Sequence, residues 1–102
     1  MSQNTQLNQS DIEKLVGFSM IEFGATWCGY CQAAQANIAN ALHKFPHVNH
    51  IKIEDGKGQR LGRQYRVKLW PTLVFINNGI EVNRLVRPDN EQVIMGALNI
   101  LD

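Results

Sequence analysis

Four consecutive apolar residues, Leu73-Val74-Phe75-Ile76, lie between Pro71-Thr72 and the turn-forming triplet Asn77-Asn78-Gly79. Successive side chains of a β-strand point to opposite faces, so a strand that is apolar throughout has to be covered on both sides. The run therefore predicts a sheet with a layer packed on each face. Asparagine and glycine tolerate positive φ, which makes 77–79 a tight hairpin turn and Ile80 to Val86, with Val82 and Leu85-Val86, the returning strand.

Other segments supply the covering layers. Ser10-Asp11-Ile12-Glu13 fits a capping box and predicts a short helix from Asp11 to Val16, stopped by Gly17. Ser19 to Gly24 reads as a strand. From Gly29 to Phe45 the chain is alanine-rich, and Ala34, Ile38, Ala41, Leu42 and Phe45 recur at helical spacing until Pro46 ends the helix. Val48 to Ile53 is short and β-branched, which suits a buried strand, whereas Gly58 to Arg66, with Leu61 and Tyr65 four apart, suits a short helix. Pro88 to Gln92 caps a last helix carrying Val93, Ile94, Ala97, Leu98 and Leu101. Residues 1–6 are polar and expected to fray, although Thr5 to Leu7 could add a short edge strand. The order predicts one α/β domain over residues 1–102: a mixed sheet of four to five strands, parallel in its centre, antiparallel at the hairpin edge, with helices on both faces.

With 102 residues, 44% of them hydrophobic and 19% charged, the chain can bury a core without cross-links. A net charge of +1 gives no whole-molecule attraction to nucleic acid or anionic lipid, and no apolar run is long enough to cross a bilayer. A monomer without nucleic-acid or membrane partners is expected. The first six residues lack the basic and apolar parts of a secretory signal, which points to the cytoplasm, or to the periplasm or secretion if a leader has been removed. Lys57, Arg60, Arg63, Arg66 and Lys68, five of the ten basic residues, fall in a stretch without an acid. They read as a solvated helix face opposite Leu61 and Tyr65, or else as a patch for an acidic protein partner. Pro46 breaks any shared helical face among His43, His47 and His50, and their spacing fits no zinc pattern, so these read as solvated surface histidines with no metal.

Chemistry concentrates at Trp27-Cys28-Gly29-Tyr30-Cys31, which holds the only two cysteines. Thiols three positions apart can close a disulfide. Cys28 would stand at the start of the alanine-rich helix, where unpaired backbone N–H groups and the helix dipole favour a thiolate. A thiol of pKa about 8.5 is roughly 3% ionised at pH 7, and one lowered to about 7 is half ionised. The pair reads as a redox site; a structural disulfide or half of a zinc site are the other readings.

Phe23-Gly24-Ala25-Thr26-Trp27-Cys28-Gly29-Tyr30-Cys31 together with Trp70-Pro71-Thr72 resembles a thioredoxin, and the resemblance runs from about residue 5 to 101. A CxxC alone is shared with zinc and haem sites; Trp-Cys-x-x-Cys after a strand, with Pro-Thr before another, is specific. The resemblance implies a thioredoxin fold and a protein-disulfide oxidoreductase that needs no cofactor, carrying electrons from a thioredoxin-reductase-like donor to protein disulfides. It makes Cys28 the nucleophile, Cys31 the resolving thiol, and the bond before Pro71 cis, leaving the Trp70 backbone free to pair with substrate. Trp27, Gly29, Tyr30, Trp70, Pro71 and Thr72 then contact substrate. Glu22 falls where the family has a buried aspartate and Lys52 where it has the lysine partner. Desolvation would raise Glu22 toward neutrality and suit it to take a proton from Cys31, unless Lys52 pairs closely enough to hold it ionised. The reference values of thioredoxins, a pKa near 7 and a potential near −270 mV, are borrowed from the family rather than read from this chain.

Some residues depart from the family. Tyr30 replaces a proline, and a Gly-Tyr spacer resembles that of periplasmic disulfide isomerases. Gly24 replaces a tryptophan that Trp70 could partly restore, Ala36 replaces a helix-kinking proline, and Arg87-Pro88 replaces a groove glycine. A reductant is the leading expectation. An oxidant or isomerase, and a non-catalytic binding module using Trp27, Tyr30 and Trp70, are the alternatives. A glutaredoxin is disfavoured because the segment after Asn78 lacks the glycine pair and acidic cap that bind glutathione there.

Overall fold

Alternation along two strands sorts the core into two halves. In β2 (Phe18–Gly24) Met20 and Glu22 face one way and Ile21 and Phe23 the other. In β4 (Thr72–Asn77) Leu73 and Phe75 join the Met20 side, and Val74 and Ile76 the Ile21 side. All of these apolar residues are fully buried, as two-sided coverage requires. The computed structural model of the protein describes residues 2–3 and 7–101.

The Met20 face is covered by α2 (Gly29–His43) and α4 (Glu91–Leu101), through Ala34, Ile38, Ala41, Ile94, Ala97, Leu98 and Leu101. Val93, expected on the apolar side of α4, is instead 41% exposed. The Ile21 face is covered by α1 (Gln9–Glu13) and α3 (Arg60–Gln64), through Ile12, Leu61 and Tyr65. With β1 (Ser2–Gln3), β3 (Asn49–Glu54) and β5 (Ile80–Val86) the sheet has the order β1-β3-β2-β4-β5. An edge strand lies at Ser2–Gln3; of the expected Thr5 to Leu7, residues 5 and 6 lie outside the described residues and Leu7 is not in a strand.

One local expectation shifts and one holds. The cap of α1 is Asn8, whose side chain accepts from the Asp11 N–H while Asp11 accepts from the Asn8 N–H; Ser10 is already helical and donates its hydroxyl to Asn8. An Asx residue two positions earlier thus takes the role assigned to Ser10. The hairpin turn forms as expected, with Asn78 at φ 49° and Gly79 at φ 85°.

The larger correction concerns direction. β2 pairs in parallel with β3, as does β1, but β4 runs antiparallel to β2 and β5 antiparallel to β4, so antiparallel pairing starts in the centre of the sheet. Residues 55–71, which include the five-residue α3, join β3 to β4 without taking the chain back to the other end of the sheet. The chain therefore enters β4 from the end at which β2 and β3 finish, and Thr72 pairs with Phe23. Pro71 is brought beside the loop that carries the cysteines.

Candidate active site

Cys28 is the N-cap of α2, and its sulfur accepts from the Cys31 N–H at 3.3 Å, the place an Asx or Ser oxygen usually takes. Both thiols are free and nearly buried, Cys28 at 7% and Cys31 at 4% exposure. Burial alone would push Cys28 up. The Cys31 thiol, the backbone N–H groups of Cys31 and Tyr30, and the nearby Arg87 guanidinium outweigh it and hold Cys28 below the ordinary thiol value. Cys31 moves the other way: burial, then the Cys28 thiol it faces and the negative charge of Glu22, push it up to about 12. One thiol is ready to ionise and its neighbour keeps its proton. Gly24 is what makes room, since a Cβ there would stand 2.8 Å from the Cys31 sulfur.

The second wall comes from the loop entering β4. The Trp70-Pro71 bond is cis and Pro71 is buried. Trp70 packs on the Ala25, Cys28, Cys31 cluster, meets Trp27 edge to face at 5.5 Å, and donates its indole N–H to Asp55 at 3.0 Å. Trp27 and Tyr30 form an exposed rim, at 66% and 61%, with Gly29 exposed between them. Two expectations change. The Trp70 carbonyl is not free, because Arg87 Nε donates to it at 2.8 Å. Thr72 is 1% exposed and gives its hydroxyl to the Leu69 carbonyl, so its side chain braces the loop and does not reach the surface.

Beneath Cys31 lies a polar cluster on the α2 face of the sheet. The register pairs Glu22 with Lys52 and Met20 with His50, which puts Glu22, His50 and Lys52 on one side, under Gln35 of α2. Glu22 Oε1 lies 2.8 Å from His50 Nε2, and Glu22 Oε2 accepts from Gln35 Nε2 at 2.8 Å. Lys52 Nζ stands 3.9 Å from Glu22 and donates to Gln35 Oε1 at 2.9 Å. Burial alone would raise Glu22. The contacts with His50, Gln35 and Lys52 more than offset it and hold the carboxyl below its ordinary value. Of the two states considered for Glu22, these contacts favour the ionised one, His50 and Gln35 more than Lys52. Glu22, Cys31, Gln35 and Lys52 line a pocket of about 190 Å³ beside the thiols.

His50 is accordingly not a solvated surface residue: its side chain is 14% exposed and committed to Glu22. His47 packs edge-on against Phe18 and also lies beside Phe45. Among the described residues no three His, Cys, Asp or Glu side chains gather as a metal site would need. The five basic residues of 57–68 are all exposed, with Leu61 and Tyr65 buried behind them. Sequence reasoning missed Gln35, His50 and Asp55, and marked Arg87 only as a departure at the groove, without its contacts. A signal existed only for His50, two residues from Lys52 in a strand and so on its face.

A family model described as thioredoxin matches residues 2–99. The chain is 32% identical over 83 residues to thioredoxin H-type 1 of Nicotiana tabacum, covering 81% of this chain and 64% of that protein, so it spans less than two thirds of that relative's length. It is 34% identical over 70 residues to a thioredoxin of Chlamydia trachomatis, covering 69% of each. The structure of thioredoxin 2 from Pseudomonas aeruginosa in its reduced form superposes with a TM-score of 0.85 at 46% identity, over 93% of this chain and 88% of that one. The match over nearly the whole sequence, with the cysteine pair at the start of α2, places the chain in the thioredoxin family.

Proposed function

We propose that the protein exchanges thiols with protein disulfides and acts as a reductant. The observation that supports exchange is the placement of Cys28 as the cap of α2, its sulfur held down, with Cys31 buried and pushed up to about 12; the reductant direction rests on the similarity to thioredoxins. The Cys28 thiolate attacks one sulfur of a substrate disulfide; an S–S bond forms to Cys28 and the other substrate sulfur leaves as a thiolate that takes up a proton. Cys31 then loses its proton and attacks the Cys28 sulfur, releasing the second substrate thiol and leaving Cys28–Cys31 oxidised. Two electrons pass to the substrate, and a thioredoxin-reductase-like donor returns them. Glu22 with Lys52 would sit where a proton leaving Cys31 could be received, through the pocket they line. Trp27, Gly29, Tyr30, Trp70 and Pro71 form the contact surface, and a cytoplasmic monomer suits this role. No helix among the described residues is long and apolar enough to cross a membrane.

Trapping tests the reading. Cys31→Ser should accumulate a mixed disulfide on Cys28 when mixed with a protein disulfide, and Cys28→Ser should form none; equal adducts from both variants would refute the assigned roles. Arg87 favours a second reading, because a cation that stabilises the Cys28 thiolate stabilises the reduced form and makes the couple more oxidising. A potential near the family's −270 mV marks a reductant, and one well above about −200 mV an oxidant or isomerase.

A further inference from the structure

Arg87 occupies an unusual place. A non-glycine residue at φ 50°, it follows β5 and is fixed at three points: its N–H donates to the Pro71 carbonyl at 2.9 Å, its Nε to the Trp70 carbonyl at 2.8 Å, and its guanidinium carbon lies 3.8 Å from the centre of the Tyr30 ring. The positive-φ backbone is held by tertiary contacts, and the guanidinium plane is stacked before any ligand arrives. This leaves the N–H groups on its two Nη atoms. Among the described residues none of them reaches a protein acceptor: the carboxylates of this chain that form ion pairs do so with Lys44, His50, Lys52 and Arg84. Asp89, exposed on the same groove, does not pair with Arg87 within 4.0 Å. That groove runs from Tyr30, two residues after Cys28, past Pro71 to Pro88.

A planar, immobilised guanidinium with free N–H groups matches a carboxylate in shape and charge. Here it lines a groove with Tyr30 and Pro71, and Tyr30 stands two residues from Cys28, whose sulfur a substrate disulfide must reach. We propose that Arg87 is a specificity-determining residue that selects disulfide substrates carrying an acidic side chain next to the reacting cysteine. This rests on the exchange activity proposed above. Tyr30 serves the same end by holding the guanidinium over its ring.

The experiment compares peptide disulfides that differ only by Glu or Gln beside the reacting cysteine, one pair with the change before it and one after, in single turnover with the reduced protein. Comparing two substrates on one protein cancels any effect of Arg87 on the Cys28 thiolate itself. The wild-type protein should prefer a Glu peptide by about fivefold at low salt, the scale of a partly exposed charge pair, and the preference should shrink as salt rises. Arg87→Gln should bring the ratio close to one and Arg87→Glu should invert it. Equal rates for Glu and Gln peptides with the wild-type protein, or a ratio unchanged in Arg87→Gln, would overturn the inference and leave the exchange activity standing. If no peptide disulfide is reduced, the exchange activity fails and this inference fails with it.

Discussion

A sulfur that caps a helix has to accept a backbone N–H, and a thiolate accepts better than a thiol. Cys28 is in that position and Cys31 is not, so alkylation should separate them. Iodoacetamide at pH 7 is expected to modify Cys28 and spare Cys31, whose pKa is about 12, with the Cys28 rate rising at a lower pH than an ordinary thiol's; mass spectrometry of the modified peptides reads both. Glu22 makes a stability prediction. Its carboxyl is held below 4.5 in the folded chain, so the unfolded chain takes up the proton first as pH falls. The stabilisation is complete above the unfolded value near 4.5 and is lost as pH drops through the lower folded value. Glu22→Gln should cost about 1–3 kcal/mol at pH 7, the scale of charged hydrogen bonds. The gap to wild type should narrow as pH falls below 4.5 in denaturant titrations; a gap independent of pH would show that the charge is not what matters. At this scale the cysteine pair was plain in the sequence because its partners are local. His50, Gln35 and Arg87 were not, because each finds its partner at long range, across the β2–β3 register, from α2 or across the cis-proline loop.

Elements formed where periodicity and breakers agreed, and α2 ends within two residues of Phe45. Caps were harder: Asn8 and Ser10 are both good cap residues, and the choice between them depends on how α1 meets the sheet. The α3 segment shows packing overriding propensity. Gly62 lies inside a helix, where alanine is ordinarily better by about 1 kcal/mol. A Cβ there would stand 2.4 to 2.6 Å from the Asp55 carboxyl, which is 5% exposed and accepts from the Gln59 N–H and the Trp70 indole. The clash wins. Gly62→Ala should destabilise the protein by about 1–3 kcal/mol and change the fluorescence of Trp70, whereas a more stable variant would mean that Asp55 can move freely.

For the whole molecule, composition and the order of elements gave the α/β class and the two covering layers, and the five-stranded sheet follows that order. The direction of β4 was not legible from its residues, because an apolar strand buried on both faces reads the same in either direction. The length of the connection did not settle it either, since residues 55–71 exceed the dozen or so that a parallel return needs. Both core halves meet on β2 and β4, which makes them one cooperative unit. Phe75→Ala, at a fully buried position, should cost about 3–5 kcal/mol and lower the denaturation midpoint in a single transition with an unchanged slope. Two separate transitions would show that the layers unfold independently.

The same antiparallel strand has a consequence for how the protein is made. Synthesis runs from the N-terminus, so Cys28 and Cys31 emerge while Trp70, Pro71 and Arg87 have yet to be added. β2 can pair with β3 as soon as Glu54 is out, but the wall opposite the thiols exists only after β4 has inserted beside β2. Until then a nascent chain carries two thiols without the aromatic shelf or the guanidinium that distinguish them. Their selectivity arrives with the last third of the chain.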